Sequence, residues 1–271
     1  GGSAATPAPE TSAPETTAPE TSAPETTAPE GDGSLQRVLD AGKLGIGAEG
    51  NWIPYVYNED GTGELTGFEV EVAKQIASRL GVEPDFQISD SWDPVLAGLD
   101  AGRYDIMVNG VDITEERAEK YDFSEPYAYN RTAVIVSGDN GDIQAMEDLS
   151  GKHTANTISS TYATVAEQYG AEVTGVDDLN QTFELLLSGR IDATLNAEVT
   201  YYDYMAQHPD ANVKIACLDP DSTSVAIPMR KGEETASLRA AIDQALSELA
   251  DEGVLGELST KYFGSDITQA Q

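Results

Sequence analysis

Arg117 is the residue whose position in this sequence most clearly suggests chemistry. It lies in the first turn of a predicted helix that begins after Thr114, where the helix macrodipole favours negative rather than positive charge. The free N–H groups of a helix start attract anions, and arginine can hold a carboxylate through two parallel hydrogen bonds. The pattern therefore predicts a carboxylate-binding site. The alternative is an exposed arginine whose charge is offset by Glu115 or Glu116 in the same turn.

Two acids and two tryptophans add to this candidate site. Glu49 and Asp112 stand at the carboxyl ends of predicted strands, where they either accept an ammonium group or lie solvated in loops. Trp52 and Trp92, the two tryptophans of the chain, each follow a predicted strand within a loop, and Trp92 stands where the next helix is predicted to begin. A tryptophan in a loop either fills a core or offers a face on which a ligand stacks. The sequence leaves both interpretations open.

A helix–turn–strand motif that occurs twice indicates how candidate site residues are positioned. Residues 99–109 read LDAGRYDIMVN, and residues 186–196 read LLSGRIDATLN. The glycine ends a helix because it adopts the left-handed conformation at low cost, and the apolar run that follows has the length of a buried strand. Strand carboxyl ends face the ligand crevice in open α/β sheets. Asn109 and Asn196 are therefore predicted to face a cleft from two similar lobes.

From Leu35 onward, strand and helix patterns alternate along the chain. This order predicts an α/β fold with mostly parallel sheets that carry helices on both faces. The predicted strands are 44–48, 82–88, 104–108, 132–136, 152–157, 172–176 and 191–196. The predicted helices are 67–80, 92–101, one that begins after 114, 161–169, 179–187, 198–207 and 235–250.

Residues 1–34 differ in composition from the rest. Residues 11–20 recur without change as 21–30, and the segment consists largely of Pro, Thr, Ser, Ala and Glu with no aromatic residue. Such a segment buries too little apolar surface to offset its ordering entropy, and regular proline keeps it extended. We expect a disordered tether that holds a domain away from a surface; the alternative is an inert tail.

The overall composition excludes several functions. The chain has 271 residues, 48 acidic against 15 basic, and a net charge of −33, which disfavours nucleic acids and anionic lipid as partners. A single cysteine, Cys217, is predicted as a buried strand residue and permits no internal disulfide. His153 and His208 lack the spacing of metal ligands. There is no nucleophile elbow, phosphate loop or dinucleotide motif, so we expect no cofactor, no metal and no catalytic residue.

Several segments, taken in order, carry a family resemblance. They are Leu65–Ala73 (LTGFEVEVA), Gly102–Asp105 (GRYD), Asp112–Arg117 (DITEER), Asp122–Tyr127 (DFSEPY), Asp148–Lys152 (DLSGK), Gly189–Ala193 (GRIDA) and Lys261–Gly264 (KYFG). Together they resemble bacterial solute-binding protein family 3, the polar amino-acid-binding branch of the extracytoplasmic solute-binding proteins of ABC transporters. The resemblance implies a two-lobed periplasmic-binding-protein fold whose two mostly parallel sheets are joined by a two-strand hinge. Lobe 1 would hold 35–130 and 225–271, and lobe 2 would hold 131–224.

The same resemblance implies a set of ligand contacts. Arg117 would grip the α-carboxylate with the backbone N–H of Asp112, while the Gly110 carbonyl and the Asp112 side chain would take the α-ammonium group. Trp52 would stack on the ligand side chain, and Trp92 would form a second apolar wall.

Further contacts are implied at both ends of the site. Glu49 matches a position that reads a cationic side chain in some family members. Asn156, Ser159 and Ser160 would form the clamping loop of lobe 2.

The sequence departs from the family pattern at two positions. Ile158 replaces the glycine that usually begins the clamping loop. Ala197 stands where an aspartate usually binds the α-ammonium group, so Asp112 is expected to supply that charge instead. If Asp112 does not, the ligand is something other than a plain α-amino acid.

We therefore predict an extracytoplasmic solute-binding protein for a polar, cationic amino acid, which an ABC transporter permease receives. It is expected to be a monomer in the periplasm or on the extracellular face of the membrane, with membrane contact only through an N-terminal lipid anchor outside this chain. Two alternatives stay open: an enzyme on the same fold, similar to cyclohexadienyl dehydratase with Glu198 as general acid, and the ligand-sensing module of a receptor.

Overall fold

The computed structural model describes residues 32–157, 160–177 and 179–270. Residues 1–31 of the predicted tether (1–34) and the clamping-loop residues Ile158 and Ser159 lie outside these ranges. Ser34, the last residue of that predicted tether, instead begins a helix. Within them, no helix has the length and apolar character needed to cross a membrane.

Helices and strands alternate along most of the described chain. The α-helices are α1 (Ser34–Ala41), α2 (Phe68–Leu80), α3 (Trp92–Asp100), α4 (Glu115–Lys120), α5 (Thr161–Gln168), α6 (Leu179–Leu187), α7 (Glu198–Gln207), α8 (Ala236–Asp251) and α9 (Val254–Phe263). The first strands are β1 (Lys43–Glu49), β2 (Tyr57–Asn58), β3 (Leu65–Thr66), β4 (Glu83–Ser89), β5 (Ile106–Met107), β6 (Val111–Asp112), β7 (Tyr121–Phe123) and β8 (Ala128–Asn130). The remaining strands are β9 (Thr132–Ser137), β10 (His153–Thr157), β11 (Glu172–Val176), β12 (Thr194–Ala197), β13 (Val213–Leu218), β14 (Thr223–Ala226) and β15 (Pro228–Arg230).

The first lobe is built around a parallel sheet in the order β4-β1-β5. One face of β1 carries Leu44 and Ile46, which are fully buried in a core shared with α2, α8 and α9. The other face carries Gly45 and Gly47, whose lack of side chains leaves room for the Tyr104 ring beneath α3. Helices therefore cover both faces, as the alternating sequence pattern predicts.

The second lobe is centred on β9, which pairs antiparallel with both β12 and β13. Val134 and Val136 pack with Ala166 of α5 on one face. Ala133 and Ile135 pack on the other face with the aromatic and aliphatic side chains of α6. Strands β10 and β11 form a parallel pair that a bridge between Thr154 and Ala193 connects to the segment before β12.

The chain passes between the lobes at two places. It enters the second lobe from β8 into β9 through Arg131, and it returns from β13 into β14. Strand β14 then pairs antiparallel with β6 and β8. Because β9 enters the lobe and β13 leaves it, these neighbours run in opposite directions. This is why the second sheet contains more antiparallel pairing than the sequence pattern predicts.

Candidate ligand-binding site

A cavity of about 570 Å³ lies between the two lobes, within the ~300–1,000 Å³ that small-molecule pockets usually occupy. The first lobe and the crossing segments contribute Trp52, Ile53, Pro54, Tyr55, Asp112, Asn130, Arg131, Thr132, Asp221 and Thr223. The second lobe contributes Thr161, Tyr162, Leu179, Ala197, Val199, Thr200 and Asp203. The wall thus combines aromatic rings with the carboxylates of Asp112, Asp203 and Asp221 and the guanidinium of Arg131.

Asp112 ends β6 and points its half-buried carboxylate toward the cavity wall. The side-chain amide of Asn130 donates a hydrogen bond to its Oδ1. Burial raises the pKa of Asp112, while hydrogen bonds from Asn130 and Thr223 and the charge of Arg117 act in the opposite direction. Burial outweighs these groups, so the pKa of Asp112 stays above its usual value.

Arg117 lies beside Asp112 on the short helix α4. The Thr114 hydroxyl caps this helix by accepting a hydrogen bond from the Arg117 N–H at 3.1 Å, as the sequence predicts. The Arg117 Nη1 donates to the Asp112 carbonyl at 3.0 Å, and its guanidinium carbon lies 4.8 Å from the centre of the Trp92 ring. Arg117 and Trp92 therefore contact each other beside Asp112, and neither belongs to the set of residues that line the cavity.

Trp52 forms an aromatic wall together with Tyr55. The two rings are stacked, with centroids 3.8 Å apart and an angle of 16° between their planes. Gly110 lies against the edge of the Trp52 ring, and a Cβ atom at position 110 would come within 2.7 Å of that ring. The φ of Gly110 is +59°, a conformation that a side chain would also strain. Tyr55 lines the cavity but carried no signal in the sequence.

Glu49 and Asn109 are joined to each other by two hydrogen bonds. The Glu49 N–H donates to Asn109 Oδ1 at 2.9 Å, and Asn109 Nδ2 donates to Glu49 Oε1 at 3.0 Å. Asn109 is buried, and neither residue belongs to the set that lines the cavity. In this structure Asn109 orients Glu49 and the end of β1.

The side chains predicted to contact the ligand from the second lobe, those of the clamping loop and Asn196, are hydrogen-bonded to the backbone of their own lobe where the structure describes them. The buried Asn156 Nδ2 donates to the Leu195 carbonyl at 2.6 Å. The Ser160 Oγ caps α5 by accepting the Ala163 N–H at 3.3 Å, and Asn196 Oδ1 accepts the Ala197 N–H at 2.8 Å. Ser159 lies outside the described residues.

Tyr162 and Asp203 line the cavity from the second lobe without having been predicted. The Tyr162 hydroxyl is hydrogen-bonded to the backbone of Ala197, and its pKa is raised by burial and by the nearby charge of Asp112. The phenol of Tyr162 therefore lies beside Ala197, the position at which the family pattern has an aspartate. Both residues also fit an ordinary amphipathic helix, so the sequence offered no signal for a ligand-facing role.

Glu198, the candidate general acid, is fully engaged in a buried cluster. It forms an ion pair with Arg131 Nε and accepts a hydrogen bond from the Tyr202 hydroxyl at 2.8 Å. Arg131 also donates to the carbonyl groups of Gln269 at 3.3 Å and Asp266 at 3.2 Å. The carboxyl group of Glu198 therefore joins the two lobes and the C-terminal segment rather than acting on a ligand.

The two lobes, the two crossings and the polar cleft define a protein that encloses a small molecule. The family model of the bacterial extracellular solute-binding proteins, family 3, matches residues 44–265, and the chain belongs to this family. It is a solute-binding protein rather than an enzyme, and the predicted α/β two-lobed fold is confirmed.

Individual relatives cover nearly the same part of the chain. A probable amino-acid ABC transporter-binding protein of Haemophilus influenzae is 36% identical over 233 residues, which cover 86% of this chain and 89% of that protein. The L-cystine-binding protein TcyA of Bacillus subtilis is 35% identical over 239 residues and 88% of each chain. The L-cystine solute receptor of Neisseria gonorrhoeae, in its unliganded open conformation, has a TM-score of 0.79 at 34% identity and covers 88% of this chain and 100% of that one.

Proposed function

We propose that this protein captures L-cystine outside the cytoplasmic membrane and delivers it to an ABC importer. The observation that carries the proposal is a pair of acids on opposite sides of one cavity: Asp112 on the first lobe and Asp203 on the second. Cystine has an α-ammonium group at each end and therefore matches two separated carboxylates. The cystine-binding relatives support the same ligand.

One end of the ligand would bind to the first lobe. Its carboxylate would meet the guanidinium of Arg117 and the N–H of Asp112, and its ammonium group would meet the Asp112 carboxylate. Arginine and a carboxylate form a charge-assisted pair of defined geometry. The stacked ring of Trp52 would cover the apolar middle of the ligand.

The other end would bind to the second lobe. The first turn of α7 lines the cavity through Val199 and Thr200, and a helix start favours an anionic group such as the second carboxylate. Asp203, about one turn closer to the end of α7, would take the second ammonium group. Contacts on both lobes stabilise the closed form selectively, so the ligand shifts the open–closed population toward the form that a permease recognises.

A cationic amino acid such as L-arginine is the second candidate, as the sequence predicts. Three carboxylates line the cavity, those of Asp112, Asp203 and Asp221, whereas the guanidinium of Arg131 is paired with Glu198. This excess of negative charge favours a ligand with net positive charge. Cystine remains the first candidate because its two α-ammonium groups match the separate carboxylates of Asp112 and Asp203 on the two lobes.

Calorimetry with a matched ligand panel tests the proposal. L-Cystine should bind most tightly, L-cystathionine should bind more weakly, and L-cysteine, which is half of the ligand, should bind at least about 100-fold more weakly. Asp203→Asn should lower the affinity for L-cystine by about tenfold or more and leave the affinity for L-cysteine unchanged. Tighter binding of L-arginine than of L-cystine would favour the second candidate, and binding of no amino acid would overturn the proposal.

The proposal includes a monomeric, membrane-anchored protein. The segment before residue 35 would connect the lobes to a lipid anchor, and one subunit would contain the complete site. Light scattering coupled to size-exclusion chromatography tests the first point, and membrane fractionation of cells that produce the natural precursor tests the second. A stable dimer or a freely released protein would contradict the respective point.

A further inference from the structure

Glu69 is a buried acid in the first turn of α2 that the ligand contacts above do not use. Its side chain is 1% exposed. Its Oε1 accepts a hydrogen bond from the Gly110 N–H at 2.8 Å and another from the Tyr127 hydroxyl. No lysine, arginine or histidine in the described ranges forms an ion pair with Glu69. Its charge is therefore held by neutral donors alone.

The same residue connects the segments that build the aromatic wall. The Glu69 N–H donates to the Tyr55 carbonyl at 3.0 Å. Gly110, which Glu69 holds through its side chain, lies against the Trp52 ring, and that ring stacks on Tyr55. The Glu69 carboxyl group therefore holds Gly110 on one side of the Trp52 ring, and the Glu69 backbone holds Tyr55 on the other.

The groups that face Glu69 do not compensate a negative charge. Tyr127 and Tyr55 are phenols whose pKa values its charge helps to raise, and Asp112 adds negative charge on the Tyr55 side. Burial raises the pKa of Glu69 to about 7, and the hydrogen bonds from Tyr127 and Gly110 only limit that rise. Both ionisation states are therefore accessible near neutral pH.

We propose that Glu69 is a positioning residue that couples the shape of the ligand site to pH. Its carboxylate accepts charge-assisted hydrogen bonds that hold Gly110 against Trp52, whereas the protonated form accepts weaker, neutral ones. Acidification then loosens the aromatic wall. The inference depends on the proposed function only in that Trp52 contacts the ligand.

The fluorescence of Trp52 tests this without any ligand. Trp92→Phe leaves Trp52 as the single tryptophan of the chain. In that background the emission should change with pH around a midpoint of about 7, and the change should disappear in Glu69→Gln, which fixes a neutral group at position 69. Glu71→Gln is the matched control: Glu71 lies on the same helix but bonds to Lys261 and Tyr262, so the midpoint should persist.

A second variant keeps the test decisive if Glu69→Gln fails to fold. Tyr127→Phe removes one hydrogen bond that lowers the pKa of Glu69, so the midpoint should move to higher pH. A Trp52 emission that is flat in the parent, or that titrates equally in Glu69→Gln, would overturn the inference.

Ligand binding is then measured separately. The dissociation constant for L-cystine should rise about fivefold from pH 8 to pH 6 in the parent and stay constant in Glu69→Gln. Failure of L-cystine to bind at any pH contradicts the proposed function but leaves the fluorescence test valid. A parent affinity that does not change with pH contradicts the coupling.

Discussion

Asp105 and Asp192 make the same pair of hydrogen bonds in the two lobes. Asp105 Oδ2 accepts the Gly45 N–H at 2.7 Å, and the Asp105 N–H donates to the Gly45 carbonyl at 3.0 Å. Asp192 Oδ2 accepts the His153 N–H at 2.9 Å, and the Asp192 N–H donates to the His153 carbonyl at 2.8 Å. The repeated sequence motif therefore forms the same hydrogen-bonded connection in each lobe, here called the aspartate joint, which fixes the segment after a helix to a neighbouring strand.

Loss of either aspartate should destabilise the protein. Asp105→Ala and Asp192→Ala each leave a backbone N–H without its charged acceptor, which costs about 1.5–3 kcal/mol. Unfolding in urea measures this cost, with Glu167→Ala on the exposed face of α5 as a control that should stay close to the parent. A parent-like midpoint in both aspartate variants would mean that the aspartate joint contributes nothing to stability.

Arg117→Ala should nearly abolish ligand binding. Removing one member of a buried charge pair between protein and ligand costs roughly 2–5 kcal/mol. Arg117→Lys should also weaken binding, because the ammonium group lacks the planar fork of the guanidinium. Calorimetry decides the matter, and near-normal affinity in Arg117→Ala would show that this residue serves only α4 and Trp92.

Asp112 should be the main acceptor of the ligand ammonium group, since Ala197 supplies no acid from the other lobe. Asp112→Asn retains the shape, removes the charge and should cost about 1.5–3 kcal/mol of binding free energy. Adding Ala197→Asp should recover part of the affinity by returning a carboxylate from the opposite wall. Unchanged affinity in Asp112→Asn would mean that this carboxylate does not contact the ligand, and it would weaken the assignment of an α-amino acid.

The buried pair of Arg131 and Glu198 should be required for a stable connection between the lobes. Glu198→Gln or Arg131→Met alone leaves one buried charge without its partner and should cost about 3–5 kcal/mol. The double variant should be more stable than either single variant, because neither charge is left alone. Calorimetric unfolding of all four proteins measures the coupling, and simple additivity of the two losses would contradict it.

Glu69→Gln should change the pH dependence of stability. The pKa of Glu69 rises from 4.5 to about 7 on folding, so its ionisation opposes folding. Its contribution is fully favourable below the unfolded pKa and is lost as the pH rises to the folded pKa. The free energy of unfolding of Glu69→Gln, relative to that of the parent, should therefore increase by up to about 3 kcal/mol from pH 4.5 to pH 7. Above pH 7 this difference should not increase further. A constant difference across that window would contradict the shift.

Periodic elements could be predicted from the sequence with little error. Helices α6 and α7 and strand β11 have the predicted bounds, because the sequence signals that specify them lie within and directly beside each segment. Strands β6 and β14 were not predicted. They are two to four residues long and exist only because distant segments pair with them.

The site was less predictable because strand ends can be found in a sequence but side-chain directions cannot. Asp112 and Trp52 line the cavity, where the family resemblance implies ligand contacts. Asn109 turns inward instead and binds Glu49, since its buried amide satisfies the backbone at the end of β1. Tyr162 reaches the cavity only through the tertiary arrangement that brings α5 beside β12.

A crystal structure of the protein with bound L-cystine is the decisive measurement. We expect a closed cleft in which one ligand carboxylate lies within hydrogen-bond distance of the Arg117 guanidinium and the adjacent ammonium group contacts Asp112. Trp52 should lie against the middle of the ligand, and the second ammonium group should lie at Asp203. A bound ligand whose carboxylates both avoid Arg117, or whose ammonium groups both avoid Asp112, would contradict this expectation.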